Sequence, residues 1–213
     1  MFEFHVLTLG QFSRNKFWGE LETQSYREPI CTSSLVKGKL NIIVDPSLPP
    51  AEMVKVLYNR TGLSPDKVDA VFITHGHGDH HVGIELFEKA RWFMGGKELE
   101  GMKKSGNPRA LELAGKLLPC GPGAAEESFL EGLEFVSLPG HTYGTTGMLF
   151  DTADGRVCVC GDAAMTRDFF NSRQGYYNSV DFDMASESIK KMAGLADIVV
   201  PGHDNYFPTG RRR

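Results

Sequence analysis

Four metal-binding side chains fall within six residues of this chain: His75, His77, Asp79 and His80, interleaved with Gly76 and Gly78. Three imidazoles and a carboxylate held this close are costly to order without a cation, and they are natural ligands for zinc or iron. A turn of this length can fold back so that His75 and His77 face one ion while Asp79 and His80 face a second. The two glycines would permit so tight a reversal. His141, Asp162 and His203 each follow a short apolar run that reads as a strand, and two of them come directly after Pro-Gly. Ligands at the ends of neighbouring strands can converge on one point, which is how α/β sheets build sites. Asp45 ends another such run, where a carboxylate could hold the far ring nitrogen of a ligand histidine. Two cations roughly 3.5–4 Å apart can share one water and lower its pKa toward neutrality, giving hydroxide for attack on a carbonyl or phosphorus. Asp79, both ligand and hydrogen-bond acceptor, would orient that hydroxide and later carry a proton.

The frame that must position these groups is legible in outline. Residues 2–9 alternate apolar and polar and predict an edge strand, while 11–32 carry no clean period and read as a long loop. Residues 35–36 and 40–44, joined through Lys37-Gly38-Lys39, predict a hairpin. Pro49-Pro50 opens a helix with Val54, Leu57 and Tyr58 on one face and Gly62 as its stop. Residues 68–73 form a β-branched run that leads straight into the histidine cluster. A short helix over 84–90, a strand over 91–94 and a Gly/Lys-rich loop over 95–107 come next. A helix over 108–118 is then broken by the segment 119–123. Strands are expected at 133–138, 148–151 and 157–160, the last two joined by the Asp154-Gly155 turn. Ala185, Ile189 and Met192 mark a helix ended by Gly194, and 198–200 form the last strand. Strands interleaved with helices, without repeat or linker, predict one α/β domain over 1–213.

Composition narrows the class. The 213 residues carry 23 Lys+Arg and 27 Asp+Glu, a net charge of −4, with 41% hydrophobic and 23% charged. That balance excludes a disordered chain. No apolar run approaches the ~20 residues of a membrane span. The opening MFEFHVLTLGQFSRNK lacks the pattern of a signal peptide, so a cytoplasmic location is expected, with no membrane partner. Mild acidity argues against a general nucleic-acid binder, and Arg211-Arg212-Arg213 is too short to reverse it. Cys31, Cys120, Cys158 and Cys160 read as small buried hydrophobes, with Cys158 and Cys160 on one strand face. His5 and His81 read as plain surface or packing residues.

The segments IIVD at 42–45, THGHGDHHVG at 74–83, PGHTYGTTG at 139–147, CGD at 160–162 and PGHD at 201–204 resemble the metallo-β-lactamase superfamily, in its order and with similar intervals. The resemblance spans nearly the whole chain and is closest to the short single-domain type. It implies a four-layer αββα sandwich with a two-metal site at one edge of the two sheets. Carried over by position, His75, His77 and His141 would bind one ion and Asp79, His80 and His203 the other, with Asp162 bridging. It implies two divalent ions per chain, zinc foremost, with iron or manganese as alternatives. True β-lactamases of the best-known type put cysteine where Asp162 stands, which demotes antibiotic hydrolysis.

The expected activity is hydrolysis of an ester-like bond in a small molecule: a thioester, lactone or ester. A metal-dependent phosphodiesterase or ribonuclease is one alternative, and an iron enzyme of the persulfide dioxygenase kind another. Substrate recognition is expected from the aromatic stretch 163–180, with Arg167, Tyr176 and Tyr177 as candidates for binding carboxylate, phosphate or a developing oxyanion. The same stretch, with Phe17 and Trp18, could instead pack on the sandwich or join two copies as a homodimer.

Overall fold

Alternation along β4 (Ala70–Ile73) sets the layering. Ala70 and Phe72 point to one side and Val71 and Ile73 to the other, and all four are buried. A strand buried on both faces must lie between two other layers. The computed structural model describes residues 1–121, 124–125 and 128–211; the expected break residues Pro122 and Gly123, and the terminal Arg212 and Arg213, lie outside it.

The first sheet runs in the order β1 (Glu3–Thr8), β2 (Ser33–Lys37), β3 (Asn41–Val44), β4, β5 (Arg91–Gly95), β6 (Leu118–Cys120). Its first three strands are antiparallel and β3 through β6 parallel. The second sheet contains β7 (Glu134–Ser137), β8 (Thr146–Thr152), β9 (Gly155–Gly161), β10 (Ile198–Pro201) and β11 (Phe207–Pro208), in the spatial order β11-β10-β9-β8-β7. Between the sheets lies an apolar core of Phe72 and Phe93 from one side and Met148, Phe150, Val157, Val159 and Val200 from the other. Phe2 and Phe4 set their ring edges against Phe150, at centroid distances of 5.8 and 6.2 Å. Helices α1 (Pro50–Thr61), α2 (Gly96–Lys104) and α3 (Pro108–Lys116) cover the outer face of the first sheet through Met53, Leu57, Leu99, Met102 and Leu113. Helices α4 (Arg167–Ser172) and α5 (Phe182–Leu195) cover the second, where Phe170, Ile189 and Met192 meet Leu149, Cys158 and Cys160. The result is the αββα sandwich. Among the described residues no helix is long and apolar enough to cross a membrane.

Several local expectations need correction. The segment 95–107 contains a true helix, α2, because Leu99 and Met102 bury one of its faces and override a Gly/Lys-rich composition. The helix after Pro108 ends at Lys116, and Leu118–Cys120 form an edge strand that tolerates Pro119. Helix α5 runs through Gly194 to Leu195. On α1 the buried face is Met53 and Leu57, whereas Tyr58 is exposed. Neither Gly76 nor Gly78 has a positive φ; a 3-10 turn, Gly78–His80, makes the reversal instead.

Because Phe150 stands at the centre of the inter-sheet core, Phe150→Ala should lower unfolding free energy by about 3–5 kcal/mol. Equilibrium urea unfolding checks this, and a loss under about 1 kcal/mol would contradict the layering.

Candidate metal centre

Each candidate ligand lies just beyond a strand end, and the strands come from both sheets. His75, His77, Asp79 and His80 follow β4; His141 follows β7; Asp162 follows β9; His203 follows β10. The approach is tight. A Cβ on Gly202 would lie 1.9 Å from Asp162 Oδ1, so only glycine lets the β10 loop reach this carboxylate.

Two groups of donor atoms result. In the first, His77 Nδ1 lies 3.0 Å from His75 Nε2 and 2.9 Å from His141 Nε2. Asp162 Oδ2 is 3.3 Å from His141 Nε2 and 3.8 Å from His75 Nε2. In the second, Asp162 Oδ1 is 3.2 Å from His80 Nε2 and 3.3 Å from His203 Nε2, and Asp79 Oδ2 is 3.6 Å from the same His203 nitrogen. Asp162 therefore turns one oxygen to each group. Both His80 Nε2 and Asp162 Oδ1 are fully buried and make no hydrogen bond of acceptable geometry despite their proximity. Burial without a partner is costly for such atoms. Donors sharing one tetrahedral zinc at about 2.0–2.1 Å would stand roughly 3.4 Å apart. The residues present thus fit a pair of divalent cations in donor type, spacing and unsatisfied atoms.

The far ring nitrogens of His75, His80 and His203 are held as well, which fixes which nitrogen faces the centre, whereas the buried Nδ1 of His141 has no hydrogen-bond partner. His80 Nδ1 bonds Asp45 Oδ2 at 2.9 Å, and His203 Nδ1 donates to the Ile30 carbonyl at 2.9 Å. Asp45 also accepts from the Thr74 backbone N–H and hydroxyl, both at 2.8 Å, and the Thr74 oxygen is 3.2 Å from His75 Nδ1. Asp45 has a left-handed backbone, φ 48°, uncommon for a residue other than glycine. The bonds made by its buried side chain stabilise that conformation. Cys31, Thr74, Ile30 and Phe12 carried no spacing signal. Cys31 nonetheless lies against Asp45 and His80, and the Phe12 ring is 5.3 Å from that of His203.

Burial and charge divide the histidines. Burial, reinforced by neighbouring imidazoles, holds His75 well below the usual value and brings His141 down to about 4. Burial also opposes charge on His80, but Cys31, Asp162 and Asp45 around it raise it well above normal. Burial pushes the Cys31 thiol up to about 12, so it is neutral and the two carboxylates carry the effect. His203 is raised against burial chiefly by Asp162. Burial would raise Asp162, yet His203, His80 and His141 hold it well below the carboxylate range.

Of the expected substrate residues, Tyr176 stands by His203 through the Phe12 ring, and Tyr177 packs on Tyr176 at 4.7 Å. Tyr176 lies 5.0 Å from Phe12, ring to ring. The Tyr177 hydroxyl donates to the Glu22 carbonyl and accepts from Arg14 at 3.2 Å. Arg167 places its guanidinium 5.7 Å from the Phe207 ring. Phe17 packs on Phe169 at 5.1 Å, and Trp18 donates its indole N–H to Asp168 at 3.0 Å. His81 lines a shallow surface dent with Trp92 and Arg109.

A sandwich of this build with clustered histidines and aspartates at its edge defines a metal-dependent hydrolase. The sequence profile of the metallo-β-lactamase superfamily matches residues 26–203, and the chain belongs to that superfamily. It is 30% identical over 177 residues to Metallo-beta-lactamase domain-containing protein 1 of Xenopus laevis, covering 82% of this chain and 70% of that protein. It is 27% identical over 170 residues to Probable metallo-hydrolase MJ0296 of Methanocaldococcus jannaschii, covering 76% and 70%. Among solved structures it resembles AidC, a dizinc quorum-quenching lactonase, with a TM-score of 0.64, 18% identity and coverage of 87% and 81%. Bacillus thuringiensis AiiA with N-decanoyl-L-homoserine at its active site superposes with a TM-score of 0.67, 18% identity and coverage of 95% and 92%.

In the metal-free protein the two groups should respond differently to pH. His80 and His203, raised, hold protons that a cation must displace, so affinity at that position should climb with pH until their folded values are passed. His75 and His141, depressed, are already neutral at pH 7, so they add little pH dependence near neutrality at the other position. Calorimetric zinc titration of stripped protein in buffers of different ionisation enthalpy should show proton release with one equivalent far more than with the other. Equal release would contradict the division.

Proposed function

We propose that this chain is a dinuclear hydrolase of one catalytic domain, acting on an ester-like bond (thioester, lactone or ester) in a small molecule. The observation that carries the reading is Asp162, whose two oxygens face separate groups of histidines. In this reading His75, His77 and His141 hold one ion, Asp79, His80 and His203 the other, and Asp162 joins them. The histidine-rich donor set favours zinc. Such ions, when bound, would supply Lewis acidity and an activated water at neutral pH.

The chain's own groups do the rest. Asp45 and the Ile30 carbonyl hold the far ring nitrogens of His80 and His203, so that once a cation displaces their second protons the remaining N–H stays on the far side and the other nitrogen is aimed at the centre. Asp79 keeps 24% of its side chain exposed where Asp162 keeps 6%, which suits it to take a proton from the attacking water and return it to the leaving group. Tyr143 and Val180 are exposed beside His141, whose carbonyl accepts from the Val180 N–H, and they offer an apolar rim for an acyl chain. We assign Tyr176 and Tyr177, with Arg167 at the start of α4, to a second wall of the substrate site. The lactonases among the structural neighbours agree with an acyl substrate.

Metal analysis of protein purified without added metal should give two zinc ions per chain. One iron with oxygen uptake would replace this reading by an oxidoreductase. In a panel of thioester, lactone, ester and bis-phosphodiester substrates, an acyl substrate should be preferred, and Asp79→Asn should lower kcat about 10²–10⁴-fold. Preference for the phosphodiester would move the assignment to nucleic-acid or phosphoester hydrolysis.

A further inference from the structure

The three histidines of the first group reach it from different sheets: His75 and His77 from the end of β4, and His141 from the loop after β7. Their spacing therefore depends on how two loops with no covalent proximity are registered. One backbone bond helps, from the Thr146 N–H to the Thr74 carbonyl at 3.0 Å. The side-chain link is Glu98, in the first turn of α2 and only 8% exposed. Its Oε1 accepts from the Gly76 N–H, between the two histidines, at 2.8 Å. Its Oε2 accepts from the Thr142 hydroxyl, next to His141, at 2.6 Å. Thr142 is itself braced by Thr145, hydroxyl to hydroxyl at 2.7 Å. The contact is made close by Gly144, where a Cβ would lie 2.2 Å from the Glu98 nitrogen. A buried carboxylate that spends one oxygen on each loop is a bidentate tie, and charged acceptors make the stronger hydrogen bonds.

We propose that Glu98 is a positioning residue for the metal centre: it clasps the His75–His77 loop to the His141 loop and so sets affinity for the ion these three histidines share. This rests on the two-ion reading above. Glu98 touches none of the donor atoms, so its removal should act on one ion and spare the other.

Chelator-stripped wild type, Glu98→Ala, Glu98→Gln and Thr142→Val would be titrated with zinc against a chromogenic chelator, with His141→Ala and His203→Ala marking which equivalent is which. Melting of the stripped proteins would be followed in parallel. Glu98→Ala should weaken the equivalent that His141→Ala removes by about 10–100-fold, the usual effect of losing a partner that orients a ligand. The equivalent marked by His203→Ala should change less than about threefold. Glu98→Gln, which keeps one acceptor oxygen, and Thr142→Val, which removes one arm, should fall between. Equal weakening of both ions, or of neither, would overturn the clasp, whatever the melting temperature does. A wild type that binds a single ion would overturn the two-ion reading. Glu98 then keeps its role only if His141→Ala removes that ion and Glu98→Ala weakens it.

Discussion

A carboxylate with 6% of its side chain exposed stays ionised only if positive charge or strong donors surround it, and Asp162 finds them in four imidazoles. Those imidazoles arrive on three separate strand ends, and Asp162 on a fourth. The compensation exists only when both sheets are in register. The dependence runs the other way too, because the histidines are crowded enough to repel if protonated, and the anion between them offsets this. The sandwich and the site are one electrostatic object. The sheets can vary in outline, but not in where their ends meet.

This explains which parts were legible beforehand. The candidate ligands announce themselves because His and Asp clustered so closely are costly to order without a cation, and because they follow runs such as 70–73 and 198–200 that send buried residues to both faces. Strands in the middle of a sheet carry their own signal. Elements defined by their neighbours do not. Helix α2 has Gly96, Gly101 and three lysines within it, and only the seating of Leu99 and Met102 on the first sheet decides its state. Strand β6 is three residues with a proline, and β11 is two, so neither can show a period.

The same reasoning accounts for the supporting residues that stayed hidden. Glu98 sits 44 positions from Thr142, and Ile30 sits 173 from His203. No local pattern links such pairs, and a glutamate in a helix or a carbonyl in a loop has an ordinary explanation by default. Asp45 was different. It directly follows β3 and precedes a proline, and its bonds to His80 and Thr74 follow from that position. A polar residue at a strand end carries spatial information that one inside a loop does not.

The stretch 11–32 shows why specificity is harder to read than chemistry. Its order comes from a web of unrelated bonds: buried Asn15 to Asp168 at 3.1 Å, Trp18 to the same carboxylate, Lys16 to Gln174 at 2.8 Å, and Arg14 to Tyr177. These pin the first loop onto the segment that follows Asp162, and the Phe12 ring lies between Tyr176 and His203. Two segments 150 or more positions apart thus form one wall, and His203 leans on it. A change at Phe12 would reshape this wall and move His203 together. In such an arrangement the wall cannot change independently of the histidine cluster, since the aromatic contacts that shape it also hold the His203 imidazole in place.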